Sequence, residues 1–181
     1  LTSNTDGNYN TASGYRALFT NNTGDYNTAS GFEALYANNG NKNTASGWRA
    51  LYVNTNGDNN DASGYQSLYA NTEGSDNTAS GYASLYSNTT GAQNTAVGGQ
   101  ALWKNQTGTS NTAVGQYALK QFRASGDTYN TAVGRSAMRG PNSDSEYITG
   151  INNTAIGAGS LKVITSGSNN TALGYWSQYG A

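Results

Sequence analysis

The chain has 181 residues, a formal net charge of −1 and neither cysteine nor histidine. Disulfides and thiolate metal sites are therefore excluded, and the side chain that most often acts as a general base near neutral pH is missing. The few Lys and Arg residues form no cluster in the sequence, so we expect no nucleic-acid partner, and no apolar run is long enough for direct membrane insertion.

A repeat of about 17 residues organises the whole chain. The pentapeptide Asn-Thr-Ala-x-Gly, with Asp in place of Thr in one copy, starts at ten positions: Asn10, Asn27, Asn43, Asn60, Asn77, Asn94, Asn111, Asn130, Asn153 and Asn170. The intervals between copies are 16 or 17 residues, except for one of 19 and one of 23. In most copies a small residue and a leucine follow the motif glycine, and a second glycine such as Gly24 comes further on.

The length of the unit selects the fold class. Seventeen residues are too few for a helical-hairpin repeat of about 33 residues or a propeller blade of about 40. They suit one coil of an all-β fold, a parallel β-solenoid, in which each coil advances by the spacing of hydrogen-bonded strands. About ten coils then predict a rod on the order of 50 Å long.

Within each coil, the elements follow one another in a fixed order. The motif predicts a strand of four or five residues, Gly-x-x a tight bend, and Ala-Leu-Tyr a second strand. The Asn-x-x-Gly segment predicts a turn whose glycine accepts a positive φ. The two longer intervals place insertions near residues 121–127 and 140–152, where we expect turns.

Residues 1–181 therefore form one repeat domain with two halves. Aromatic-rich coils lined by serine occupy 1–91, and coils lined by aliphatic residues occupy 92–181. Both ends interrupt a repeat and no capping element is visible, so we expect a segment of a longer rod.

The side chains of the motif predict association with other chains. Neighbouring residues of a strand point to opposite faces. The motif alanine never varies, and the next residue is aliphatic in the later copies: Val97, Val114, Val133, Ile156 and Leu173. We therefore expect both faces of this strand to be buried, one against the leucines of the same chain and the other against further chains.

The motif Asn94-Thr95-Ala96-Val97-Gly98, followed by Ala101-Leu102, resembles the head repeats of YadA-like trimeric autotransporter adhesins, and similar repeats occur in bacteriophage tail fibres. The resemblance implies a left-handed β-roll and a homotrimer with the motif strand lining its interior. It also implies an extracellular location, on a virion tail or a bacterial cell surface. The coil here is longer than in the adhesins, which favours a fibre or shaft over an adhesin head. Serine also stands where the later copies are aliphatic, at Ser13, Ser30, Ser46, Ser63 and Ser80.

Two aromatic columns recur at the coil spacing. The first follows the motif glycine and contains Tyr15, Phe32, Trp48, Tyr65 and Tyr82; the second follows the leucine and contains Phe19, Tyr36, Tyr52, Tyr69, Tyr86 and Trp103. Such columns suit direct binding of a host-surface glycan or protein receptor, but they also suit a structural ladder that holds the coils in register. We favour the ladder, because a binding site need not recur in every coil whereas a stabilising contact should.

The asparagine and threonine of the motif offer further interpretations. The ten motif asparagines predict a structural ladder of side-chain amides bonded from coil to coil. The threonine column suits ice binding, which is a weaker alternative because a trimer would hide those hydroxyls. Asp25, Asp58 and Asp127 follow turn glycines, but the column is not acidic in the other coils, so we expect no calcium, other metal or cofactor.

The carboxylates indicate no enzyme. Glu33, Glu73, Asp144 and Glu146 form no recurring pair, and Glu73 and Asp76 come closest to one by lying near Asp58 of the preceding coil. We interpret that group as a charged turn. The sequence thus predicts a structural or adhesive fibre segment that holds a binding tip away from its base.

Overall fold

A computed structural model describes residues 3–143 and 145–178. The fold is all-β, and no helix occurs among these residues. The coils stack as a parallel β-solenoid of about ten turns, which confirms the predicted fold class. The left-handed sense of the coil and the homotrimer stay predictions. Within the described ranges no helix is long and apolar enough to cross a membrane.

Short strands hold successive coils together. In chain order they are β1 (Thr11–Ser13), β2 (Thr28–Ser30), β3 (Ala37–Asn38), β4 (Thr44–Ser46), β5 (Val53–Asn54), β6 (Asp61–Ser63), β7 (Thr78–Ser80), β8 (Thr95–Val97), β9 (Thr107–Thr109), β10 (Thr112–Val114), β11 (Ser125–Asp127), β12 (Thr131–Val133), β13 (Thr154–Ile156) and β14 (Thr171–Leu173). The ten motif strands form one parallel sheet, in which each motif alanine pairs with the alanine of the next coil, as Ala12 does with Ala29. β3 pairs with β5, and β9 pairs with β11.

The predicted second strand at Ala-Leu-Tyr is wrong. Those residues form a turn, and the leucine adopts a left-handed conformation, with φ of 47° at Leu18 and 48° at Leu35. The backbone still bonds to the next coil, because Leu18 N donates to Ala34 O at 3.0 Å. A tight turn carries the leucine side chain into the narrow interior of the coil, where it is fully buried.

The predicted reason for the turn glycines is also wrong in most coils. Gly24 and Gly57 do not have a positive φ, although Gly126 does, at 75°. A Cβ atom on Gly24 would meet the carbonyl oxygen of Gly40 and would lie 2.6 Å from Asn21 Oδ1. Glycine is therefore required by the close approach of adjacent coils and not by its backbone angle.

A regular coil places three residues other than glycine in the left-handed region. In one coil these are Tyr26 before the motif asparagine, Glu33 after the motif glycine, and Leu35. Left-handed backbone costs about 1–2 kcal/mol for such residues. Their amides offset part of that cost by bonding to neighbouring coils, as Glu33 N does to Tyr15 O at 2.8 Å.

The core is a narrow column inside the solenoid. It consists mainly of the motif alanines, the small residues that follow the motif glycines, and one leucine per coil. The motif residue after alanine points outward. Val114 is 36 % exposed and Ile156 is 41 % exposed in the single chain, so one face of the main sheet is buried by the chain itself and the other is not.

Candidate functional site

The motif asparagines form a hydrogen-bonded spine along the rod. Asn60 lies in the middle of it: its backbone N and its Nδ2 both donate to Asn43 Oδ1, at 2.9 and 3.1 Å. Its Nδ2 also donates to Gly74 O at 2.9 Å. These residues are buried from Asn27 to Asn153, so the spine is structural and offers no surface for a ligand.

A second asparagine ladder runs beside the first and was not singled out from the sequence. Its members precede the turn glycines by two or three residues: Asn4, Asn21, Asn38, Asn54, Asn71, Asn88 and Asn105. Each Nδ2 after the first donates to Oδ1 of the preceding member, as Asn71 does to Asn54 at 2.8 Å. The recurring Asn-x-x-Gly segment indicates this ladder as well as a turn, because its asparagine returns at the coil spacing.

The first aromatic column is a continuous stack of exposed or half-buried rings. Centroids from Tyr15 to Phe32 and from Trp48 to Tyr65 lie 5.1 and 4.6 Å apart, and the rings are within 20° of parallel. Each inner ring therefore has another ring of the column on both faces. Because a sugar ring would have to stack on those faces, this geometry favours the ladder interpretation for the inner rings.

The second aromatic column is more enclosed. Its rings are half-buried, with centroids 5.2 Å apart from Phe19 to Tyr36 and 5.0 Å apart from Tyr69 to Tyr86. Trp103 ends the column at 6.4 Å and a tilt of 37°. Burial raises the pKa of the Tyr86 phenol, since it disfavours the charged form.

An ion triplet lies between the two columns. The buried Glu33 carboxylate accepts a hydrogen bond from Arg49 Nε at 2.7 Å, and Arg16 Nη1 lies 3.8 Å from its other oxygen. That hydrogen bond raises the pKa of Arg49 further above its usual value. The Arg49 guanidinium carbon also lies 4.4 Å from the Trp48 ring centroid and 5.2 Å from that of Tyr52. The triplet thus links the two columns.

Other carboxylates lie in turns, where they accept hydrogen bonds from adjacent coils. Asp58 Oδ1 accepts hydrogen bonds from Asn41 N at 2.6 Å and from Asn41 Nδ2 at 3.2 Å. Asp25 and Asp58 line a shallow groove of about 330 Å³. Nowhere in residues 3–143 and 145–178 do three His, Cys, Asp or Glu residues form a group that could hold a metal ion.

The other carboxylates considered in the sequence do not line that groove, although Asp76 N donates to Asp58 O at 3.0 Å. Glu73, Asp76 and Glu146 are exposed, and Asp127 Oδ1 accepts a hydrogen bond from Thr109 Oγ1 at 2.8 Å. Asp144 lies outside the described residues.

The structure brings basic residues together that the sequence presents as scattered. Lys120, Arg135, Arg139 and Lys162 line one groove of about 300 Å³, together with Tyr117, Tyr175 and Trp176. The Lys and Arg residues still form no cluster in the sequence, and the absence of a nucleic-acid partner stays a prediction. The charge counts of the two halves indicate where such a groove lies. Residues 1–91 carry seven carboxylates and three cations, whereas residues 92–181 carry six cations and three carboxylates.

Comparisons with protein-family models, curated proteins and solved structures find no match to this chain. The resemblance of the Asn-Thr-Ala-x-Gly repeats to trimeric adhesin heads and phage tail fibres stays a prediction. Function must therefore be inferred from the surfaces of the solenoid itself.

Proposed function

We propose that the chain is a rod segment of a homotrimeric surface fibre. The observation that carries this proposal is the uncovered outer face of the main sheet. In the later coils that face presents an aliphatic column in which Val97, Val114 and Ile156 are 38, 36 and 41 % exposed. Contiguous apolar surface of this kind marks a contact with another molecule.

Further copies of this chain are the partners that fit the face best. The outward residues repeat at the coil spacing along the whole sheet, and a parallel copy has the same spacing by construction. In-register packing would set aliphatic against aliphatic in the later coils, and hydroxyls against hydroxyls in the earlier ones. Each coil encloses little more than a leucine and two small residues, so burial of the outer face would add apolar area that the single chain lacks.

A rod of this kind serves as a spacer. Regular coils stack as a continuous rod without a hinge. None of the described surfaces carries a group of side chains arranged for catalysis. The fibre would belong to a phage tail or a bacterial cell surface, where it would hold a receptor-binding tip away from its base. Host glycans or proteins would be the receptors of that tip.

A charge placed on the outer face tests the proposal. Val114→Asp should abolish the trimer, because a carboxylate cannot be buried without a partner. Thr107→Asp is the matched control, since it adds the same charge at an exposed position outside the main sheet and should leave the mass in solution unchanged. Equal masses for both variants and the parent would overturn the proposed interface.

The same face supports ice binding as a second candidate. Thr28 and Ser30 of β2, and Thr44 and Ser46 of β4, point outward and are exposed in regular rows. A flat array of hydroxyls suits an ice surface, but the aliphatic coils of the second half interrupt it. Thermal hysteresis in a solution of the chain would favour this candidate, and a trimer that hides the hydroxyls would rule it out.

A further inference from the structure

We propose that the basic groove of the later coils binds an acidic sugar, specifically a pyranose that carries a carboxylate. The groove is built by one chain, so this proposal does not depend on the homotrimer. It adds a ligand site to a segment that is otherwise a spacer.

The groove continues the face that carries the aromatic columns. In the column of Trp103, the next three coils place Lys120, Arg139 and Lys162. Backbone bonds confirm that these coils are adjacent, because Gln121 N donates to Arg139 O at 3.1 Å and Gly140 N donates to Lys162 O at 2.9 Å. One side of the rod therefore changes from stacked rings to a row of cations.

Rings hold these cations in place. Lys120 Nζ lies 5.2 Å from the Tyr117 ring centroid, Arg139 Cζ lies 5.5 Å from the same centroid, and Lys162 Nζ lies 4.3 Å from that of Trp176. Such contacts fix the direction of each cation, although they do not neutralise it. The three cations therefore lie along one groove on neighbouring coils.

The groove is built for an anion. No carboxylate is among the described residues that line it. Arg135 and Arg139 of one coil both line the groove. A guanidinium presents its donors as a planar fork that matches the two oxygens of a carboxylate. Arg135, which is exposed, provides a second fork in the same groove.

Aromatic rings at one end of the groove indicate a sugar and not a free anion. Tyr175 and Trp176 meet edge to face, with centroids 6.0 Å apart and an angle of 78° between their planes. Both rings line the groove, so one of them can pack against the apolar face of a pyranose. The volume of about 300 Å³ lies at the small end of the range for ligand sites.

Titration of the whole chain with a galacturonate trisaccharide tests the proposal by calorimetry. The uronate should bind. The affinity for its carboxyl-reduced counterpart should be lower by a factor of at least about ten, because the loss of one charge-assisted hydrogen bond lowers the affinity by that much. Inorganic phosphate separates recognition of a sugar from recognition of any anion, and a thymidine oligonucleotide tests for a nucleic-acid site.

Variants assign the binding to the groove. Arg139→Gln and Arg135→Gln should each weaken uronate binding about tenfold, and Tyr175→Ala should weaken it by a similar factor. Arg16→Gln is the matched control, since it removes a cation from the other half of the rod and should leave the affinity unchanged. If Arg139→Gln does not fold, Arg135→Gln still tests the groove, because Arg135 is exposed and its substitution should not disturb folding.

The proposal would be overturned by any of four outcomes. These are no uronate binding by the folded chain, equal binding of the carboxyl-reduced sugar, equal or tighter binding of phosphate or the oligonucleotide, and loss of affinity in Arg16→Gln equal to that in Arg135→Gln.

Discussion

Phe122 ends the hydrogen-bonded ladder that reaches Asn105. Asn105 Nδ2 donates to Asn88 Oδ1 at 2.9 Å, but the buried Asn105 Oδ1 has no hydrogen-bond partner among the described residues. The next coil places the fully buried Phe122 where a further asparagine would donate its Nδ2 to Asn105 Oδ1, and Phe122 forms a parallel bridge with Ile148. The interior column of the second asparagine ladder therefore changes from asparagine to an apolar residue at this step. The change lies close to the coil where the outer face of the main sheet changes from serine to aliphatic residues.

This relationship predicts unequal costs for two identical substitutions. Asn71 makes three side-chain hydrogen bonds, two as donor and one as acceptor, whereas Asn105 makes only the two as donor. Asn71→Ala should lower the free energy of unfolding by about 2–4 kcal/mol, because it leaves buried partners unpaired. Asn105→Ala should cost about 1–3 kcal/mol less, since it also removes an oxygen that is already unpaired. Denaturant unfolding of both variants measures the difference, and equal costs would contradict this reading of the ladder.

The left-handed residues make a prediction that reverses the usual effect of glycine. Asp76 is exposed and has a φ of 59°. Asp76→Gly should raise the stability by up to about 1 kcal/mol, whereas Asp76→Val should lower it by about 1–2 kcal/mol, because a β-branched residue resists this conformation. The shift in denaturation midpoint checks both signs. A destabilised glycine variant would show that the backbone here is not strained.

The enclosed tyrosines predict a loss of stability in alkali. Burial raises the pKa of Tyr52 and Tyr86 above the usual value near 10.0, so the folded chain favours their neutral forms. That contribution is fully present below the unfolded pKa and is lost as the pH rises above about 10 and through the raised folded value. Tyr52→Phe and Tyr86→Phe should flatten this decline, which urea unfolding at a series of pH values would measure. A decline of unchanged steepness in the double variant would assign it to other groups.

Ring stacking predicts a larger cost inside the first aromatic column than in the separate pair formed by Tyr9 and Tyr26. Trp48 stacks on Phe32 and Tyr65 and also contacts Arg49. Trp48→Ala should lower the free energy of unfolding by about 2–4 kcal/mol. Tyr9 is 76 % exposed and stacks only on Tyr26 among the described residues, so Tyr9→Ala should cost less than about 1 kcal/mol.

Attachment to cells or glycans separates the two uses of the first column. If the rings are a structural ladder, Tyr65→Ala should leave attachment unchanged in chains that remain folded. A loss of attachment without a loss of stability would instead support direct binding through the column.

The period of the repeat was sufficient to predict the coil, its length and the alignment of the motif strands. Alanine pairs with alanine because any other register would move a larger outward residue into the narrow core. The conformation of Leu18 could not be predicted, since its left-handed backbone depends on hydrogen bonds to a neighbouring coil. The role of Gly24 was missed for a related reason, because only the packed structure shows how closely the coils approach.

The basic groove was hidden by spacing. Lys120, Arg139 and Lys162 are 19 and 23 residues apart, which are the two irregular intervals of the repeat. The insertions at 121–127 and 140–152 shift the phase of the columns, so the three side chains do not align when the sequence is divided into units of 17. The structure restores the alignment because the main sheet continues through β12 and β13, which keeps these three coils adjacent.

The mass of the chain in solution tests the central claim most directly. Sedimentation equilibrium should give three times the mass of one chain, and Val114→Asp should reduce it to the mass of a single chain. A stably folded monomer of the parent sequence, with Val114 and Leu173 still exposed to solvent, would contradict the account.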